Sequence, residues 1–342
     1  MKRESVLIIA EAGVNHNGDL ERALQLIDAA ANSGADYVKF QTFKADKIVS
    51  AEAKKADYQL NNMGGEESTQ YSMLKKLEMA DGWYPVLLNH CKEKGIKFLS
   101  TGFDSDSIDF LDGFEIPFYK VPSGEITNKP YLQHIARKRR DILLSTGMAD
   151  LEEVKAALEV IEAAGTSKDH VTVLHCNTEY PTPMEDVNLF AMQQIAKECG
   201  VKVGYSDHTL GIEVPIAAVA LGASVIEKHF TLSRKLPGPD HAASLEPGEL
   251  NAMVKAIRNI ELAISGSGVK EPSKSETKNR LIARKSLHLT KDIHRGIKLE
   301  MDDLISLRPG DGISPMLIDE VIGKKLKSDM CSGTKLSVND FE

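Results

Sequence analysis

Among 342 residues there are four cysteines and one tryptophan. No apolar run approaches the roughly 20 residues that a membrane-spanning helix needs. Cys91, Cys176, Cys199 and Cys331 form no CxxC pair and no zinc-like spacing, so neither a disulfide framework nor a structural zinc site is expected. Reduced, mostly buried thiols in a cytoplasmic protein are the expectation instead. Lys2 and Arg3 precede only a short apolar stretch, 6–10, which Glu11 ends and which is too short for a secretory signal core. A positive surplus is lacking too: 42 Lys and Arg face 50 Asp and Glu, a formal charge of -8. That balance argues against bulk binding to nucleic acid or an anionic membrane. An anionic substrate must therefore be caught by a few basic side chains placed locally. What remains is a globular composition, 42% hydrophobic and 27% charged, in a chain long enough for a barrel and a small extra domain.

Short apolar runs alternate with helical patterns in a regular order. Strands are expected at 6–13, 37–43, 97–103, 118–125, 141–148, 171–177, 202–208 and 224–231, each followed by a helix-like segment, the clearest at 151–165, 189–199 and 248–265. The strands read as nearly continuous apolar runs, as parallel strands buried on both faces do. Eight consecutive βα units by residue 265 point to a (β/α)8 TIM barrel, with an open doubly wound sheet as the alternative. The stretch 44–79 is too long for an ordinary loop and is expected over the barrel mouth, with a turn at Met63-Gly64-Gly65. Residues 266–283 are polar and rich in Gly, Ser and Lys, which reads as a linker. Residues 284–342 follow as a small β-rich domain.

In a barrel the catalytic groups sit at the carboxyl ends of the strands. Polar residues collect there in every unit: Glu11; Lys39 and Gln41; Thr101; Lys120, Ser123 and Glu125; Ser145; Thr178 and Tyr180; Ser206 and His208; Glu227 and His229. Lys39 with Gln41, Ser206 with His208, and Glu227 with His229 are two apart, so each pair faces one side of its strand. His208 and His229 end adjacent strands and could share a divalent metal; manganese suits nitrogen ligands with oxygen partners, and magnesium, cobalt or zinc are permitted. Two structural histidines bonded to carboxylates are the alternative. Lysine within an apolar strand is costly unless it meets an anion. Lys39 and Lys120, with the Ser123 and Ser145 hydroxyls, could therefore hold the phosphate and carboxylate of a small dianion; a Schiff-base lysine is the rival. Glu11 and Glu125 are candidate acid/base groups, or else salt-bridge partners of those lysines.

The ordered blocks IIAEAGVNHNGDL, VKFQTFKADKI, FYKVPSGEITN, ILLSTGMA, TEYPTP, VGYSDHTLG, EKHFTL and PGPDHAASLEPGEL resemble the sialic acid synthase family. The stretch from RKSL through LRPGDGI is similar to the antifreeze-like, or SAF, domain fused to those barrels. The resemblance implies condensation of phosphoenolpyruvate with the open-chain aldehyde of N-acetylmannosamine, giving N-acetylneuraminate and phosphate. The run AKKADYQL and the block PSGEITN look most like the branch making legionaminic acid, so 2,4-diacetamido-2,4,6-trideoxymannose is the alternative sugar. It further implies that His208 and His229 hold the metal, manganese above magnesium or cobalt. Phosphoenolpyruvate falls to Lys39, Lys120, Ser123 and Ser145, with Gln41 and Thr101 nearby and Ser206 among the substrate-binding residues. The resemblance gives Glu11 a place at the sugar end, Glu125 proton transfer, Asp240 a water or sugar hydroxyl, and Tyr180 a place in the lining. Arg308 would contact the N-acyl group from the neighbouring subunit of a domain-swapped homodimer. A sugar-phosphate acceptor would want a second basic pocket. A non-enzymatic carbohydrate-binding or ice-binding protein would leave the polar strand ends without purpose.

Overall fold

The computed structural model describes residues 5–50, 52–55, 59–60 and 69–342. The eight apolar runs form one parallel sheet of β1 (Leu7–Gly13), β2 (Tyr37–Thr42), β3 (Lys97–Gly102), β4 (Phe118–Val121), β5 (Asp141–Ser145), β6 (Val171–His175), β7 (Lys202–Asp207) and β8 (Val225–His229). Its order is β3-β2-β1-β8-β7-β6-β5-β4. The first strand is hydrogen-bonded to both the second and the last, which closes the sheet into a barrel; β3 and β4 lie side by side at the seam without ladder bonds. Residues 1–266 form this unit.

Local chemistry fixes the crossovers. In the helix Leu20–Ser33 the Asp19 carboxylate accepts from the backbone N–H groups of Glu21 and Arg22, and Gly34 ends the helix at φ 81°, a conformation that favours glycine. Ala23, Leu26, Ile27 and Ala30 recur at helical spacing and turn one stripe to the core. Strands run one to four residues shorter than the apolar pattern suggests. The largest difference is at β4, where Pro122 cannot extend the ladder and a 3-10 turn, Ser123–Glu125, follows.

The barrel interior is layered by strand parity. Ile9, Tyr37, Leu99, Phe118, Leu143, Leu174 and Val225 form a separate buried apolar cluster that plugs it. Two residues further along the same faces stand Glu11, Lys39, Thr101, Lys120, Ser145, Cys176 and Glu227. One step of the pleat therefore converts an apolar plug into a polar floor. Within 44–79, the helices Ala45–Ile48 and Gln70–Leu77 are described, and Met73 and Leu77 pack with Val14 and Phe43. The Met63-Gly64-Gly65 turn lies outside the described residues. None of the described helices is long and apolar enough to cross a membrane.

Residues 267–342 form a second unit. It contains the antiparallel pair β9 (Ser286–Leu289) and β10 (Leu304–Leu307) over a core that includes Leu287, Leu289, Leu299, Leu326 and Phe341. The segment read as a linker carries a helix, Thr277–Ala283, whose Leu281 carbonyl accepts from Gly310 N–H within the same unit.

Candidate active site

The polar floor opens into a cavity of about 620 Å³ at the carboxyl ends of the strands. Lys39 Nζ lies 2.8 Å from Glu11 Oε2, donates to Thr101 Oγ1 at 2.8 Å, and is 3.6 Å from Glu227 Oε2. Lys120 Nζ is 3.6 Å from Glu227 Oε1, and Ser206 Oγ donates to that same oxygen at 2.9 Å. Gln41 Nε2 donates to Glu11 Oε1 at 3.3 Å. Four ionisable side chains are thus held out of water in one network.

Burial acts on these groups unequally. Glu11 is pushed from 4.5 to about 7, because burial and the neighbouring Glu227 charge outweigh Lys39. Burial would raise Glu227 as well, but Lys120 and Lys39, with the Ser206 hydrogen bond, overcome it and bring the carboxyl to about 2. Lys39 is held above the ordinary lysine value: burial opposes its charge, and Glu11 and Glu227 more than compensate. Lys120 is lowered by burial, which Glu227 offsets only in part. The Ser145 hydroxyl, on the cavity wall, is buried without a hydrogen-bond partner.

Beside this network stand His208 and His229, ring centroids 5.4 Å apart, with the Tyr180 ring stacked on His208 at 4.0 Å and edge-on to His229 at 5.6 Å. His208 Nδ1 meets the Asn177 carbonyl at 2.6 Å. A carbonyl only accepts, so Nδ1 carries the proton and Nε2 keeps its lone pair. Burial lowers His208 to about 4 and takes His229 well below 6.5, so both rings are neutral near pH 7. His229 Nδ1 is buried without a partner. No group of three or more His, Cys, Asp and Glu arranged for a metal occurs among the described residues. Two neutral imidazoles with a free lone pair and an orphaned ring nitrogen fit an ion that completes its shell with water and substrate oxygens.

The cavity brings together Glu11, Lys39, Gln41, Thr101, Lys120, Ser123, Ser145, Tyr180, Ser206, His208 and His229. Two residues expected in the barrel site lie elsewhere in the barrel unit. Glu125 sits on the 3-10 turn that replaces the end of β4, so strand parity no longer aims it inward; it lines a neighbouring cavity with Asp104 and Asp106 and accepts from Asn128. Asp240 is buried before the turn His241–Ala243, outside this lining, and burial raises it to about 6. Arg308 is exposed in the second unit, its Nε donating to the Ala283 carbonyl. Glu227, which the sequence places at a strand end in phase with His229 without giving it a role, joins both lysines.

Residues 26–270 match the NeuB family and residues 284–342 the SAF domain. The N,N'-diacetyllegionaminic acid synthase of Legionella pneumophila is 50% identical, covering 96% of this chain and 92% of its own. The N,N'-diacetyllegionaminic acid synthase of Campylobacter jejuni is 52% identical over 94% of this chain and 96% of its own. Among solved structures, N-acetylneuraminic acid synthetase from Leptospira borgpetersenii in complex with citrate superposes with a TM-score of 0.70 at 33% identity, covering 81% of this chain and 90% of that one.

Proposed function

The chain belongs to the NeuB family, and on that premise we propose that it condenses phosphoenolpyruvate with the open-chain aldehyde of 2,4-diacetamido-2,4,6-trideoxymannose, giving N,N'-diacetyllegionaminate and phosphate. The observation that carries this reading is the buried network in which Glu227 joins Lys39 and Lys120 on the floor of the cavity. The choice of sugar rests on the two relatives at 50% and 52% identity, both legionaminic acid synthases, and replaces N-acetylmannosamine as the preferred acceptor. Among the described lining residues the lysines are these two, which disfavours an acceptor carrying a second phosphate.

Lys120 and the Ser145 hydroxyl take the phosphoenolpyruvate anion, with Ser123 beside them. When C3 of phosphoenolpyruvate adds to the aldehyde carbon, positive charge develops at C2. The ionised Glu227 and the bound anion balance it on a floor of buried side chains. Glu11, poised at about 7, can hold or release a proton near neutral pH. Water then adds at C2, and phosphate leaves by C–O cleavage. A divalent metal, manganese first and magnesium or cobalt as substitutes, would be held by His208 and His229 and would polarise the aldehyde oxygen. Tyr180, stacked on one imidazole and edge-on to the other, keeps the pair oriented.

The second unit is read as a cap acting on a partner subunit in a homodimer, with Arg308 reaching the acyl oxygen of the sugar. Leu281, Ile282, Met316 and Val338 are exposed on this small unit, apolar side chains that a partner subunit would cover.

The reading is tested by phosphate release from phosphoenolpyruvate with the diacetamido sugar, N-acetylmannosamine or its 6-phosphate, with the product mass recorded. Release is expected with the diacetamido sugar, lost in EDTA and restored by manganese. Release without any sugar, or undiminished in verified metal-free enzyme, would refute the corresponding part.

A further inference from the structure

The turn after β5 holds glycine and methionine in an order that folding alone does not explain. Thr146 to Ala149 is closed by Ala149 N–H donating to the Thr146 carbonyl at 3.1 Å. Its third residue, Met148, has φ 68°, in the left-handed region where a turn ordinarily carries glycine or asparagine. Glycine stands one place earlier. That position has its own reason: a Cβ on Gly147 would lie 2.6 Å from Thr178 Cγ2 and 2.9 Å from Ser123 Oγ, and Gly147 N–H donates to Ser123 Oγ. Met148 has no comparable structural reason. The residue is 74% exposed, so the backbone strain is not offset by burial in the core. It stands instead on the lining of the cavity, one turn beyond the orphaned Ser145 hydroxyl.

An apolar side chain kept in an unfavourable conformation and left in water is a feature expected of a ligand contact, because binding supplies the burial that folding does not. The floor of the cavity is charged and suits the anion; with Phe103 and Tyr180, Met148 supplies apolar surface at its rim. Resting on the functional reading above, we infer that Met148 is a sugar-binding residue that covers the apolar part of the amino sugar, its acyl methyl and deoxy carbons. It makes no contact with phosphoenolpyruvate.

Met148→Gly removes the side chain and relieves the strain, and Met148→Asn keeps a side chain that tolerates positive φ but is polar. Kinetics are measured with the amino sugar the wild type turns over, so failure of the wild type with the diacetamido sugar would be seen first and would count against the functional reading alone. Both variants are expected to melt at or above the wild-type temperature and to raise the sugar KM about ten-fold, the loss typical of one apolar contact. The phosphoenolpyruvate KM should stay within two-fold. An unchanged sugar KM in Met148→Gly, or equal rises in both KM values, would overturn the inference.

Discussion

Lys39 and Lys120 are both buried at the same level of the barrel, yet the protein treats them differently. Lys39 is neutralised at close range by Glu11 at 2.8 Å and fixed by Thr101, whereas Lys120 has its nearest carboxylate at 3.6 Å. A buried ammonium without a close counterion has an electrostatic need that an anionic ligand can meet. Lys120→Met should therefore raise the phosphoenolpyruvate KM by roughly 10- to 100-fold, the range for a charge-assisted hydrogen bond, while the sugar KM moves little. Burial also lowers Lys120, which is how Schiff-base lysines are made, so borohydride in the presence of both substrates is the discriminating control. The protein mass should not change. A trapped adduct on Lys120 would support an aldolase mechanism instead. Most of this floor was legible in the sequence because polar residues interrupt apolar strands at a fixed phase. Glu125 was not: its predicted direction assumed a strand that Pro122 ends.

At the scale of elements, the junction of β7 and β8 sets the distance between the two histidines. Asp207 and Lys228 are direct cross-strand partners, on the face opposite Ser206 and Glu227, and they form a fully buried ion pair. Lys228 also donates to the Thr209 carbonyl, and Thr209 Oγ1 donates to Asp207 Oδ1 at 2.9 Å. Every charge there is compensated, so removing one partner strands the other in the interior. Asp207→Ala should cost about 3–5 kcal/mol, a fall of roughly 10 °C in Tm for a unit of this size. A shift of under about 2 °C in a calorimetric scan would show that the pair is not holding the strands. From sequence, Asp207 is one more polar residue at a strand end. Its phase, between Ser206 and His208, already turns it to the helices and away from the site. Strand phase was readable here, and the identity of the cross-strand partner was not, since register depends on barrel closure.

For the whole molecule, the order of eight βα units foretold the barrel because each apolar run could be buried only as a parallel strand between helices. The helix Thr277–Ala283 is not legible in the sequence, since its short, largely polar run gives no amphipathic pattern. The relation between the two units is addressed by co-expressing Lys120→Met with Arg308→Ala. If the cap acts in trans, a mixed dimer rebuilds one complete site, and random pairing makes about half the dimers mixed; roughly a quarter of wild-type activity should return. Recovery no greater than the sum of the two single variants would mean that the cap serves its own barrel.

The charged floor and apolar rim of this cavity are proposed to serve a diacetamido trideoxy sugar. The most direct test is the ratio of kcat/KM for 2,4-diacetamido-2,4,6-trideoxymannose to that for N-acetylmannosamine, at saturating phosphoenolpyruvate and with manganese present. Differences of one or two apolar or amide contacts predict a ratio of at least about 10 in favour of the diacetamido sugar. A ratio at or below one would make N-acetylmannosamine the acceptor instead.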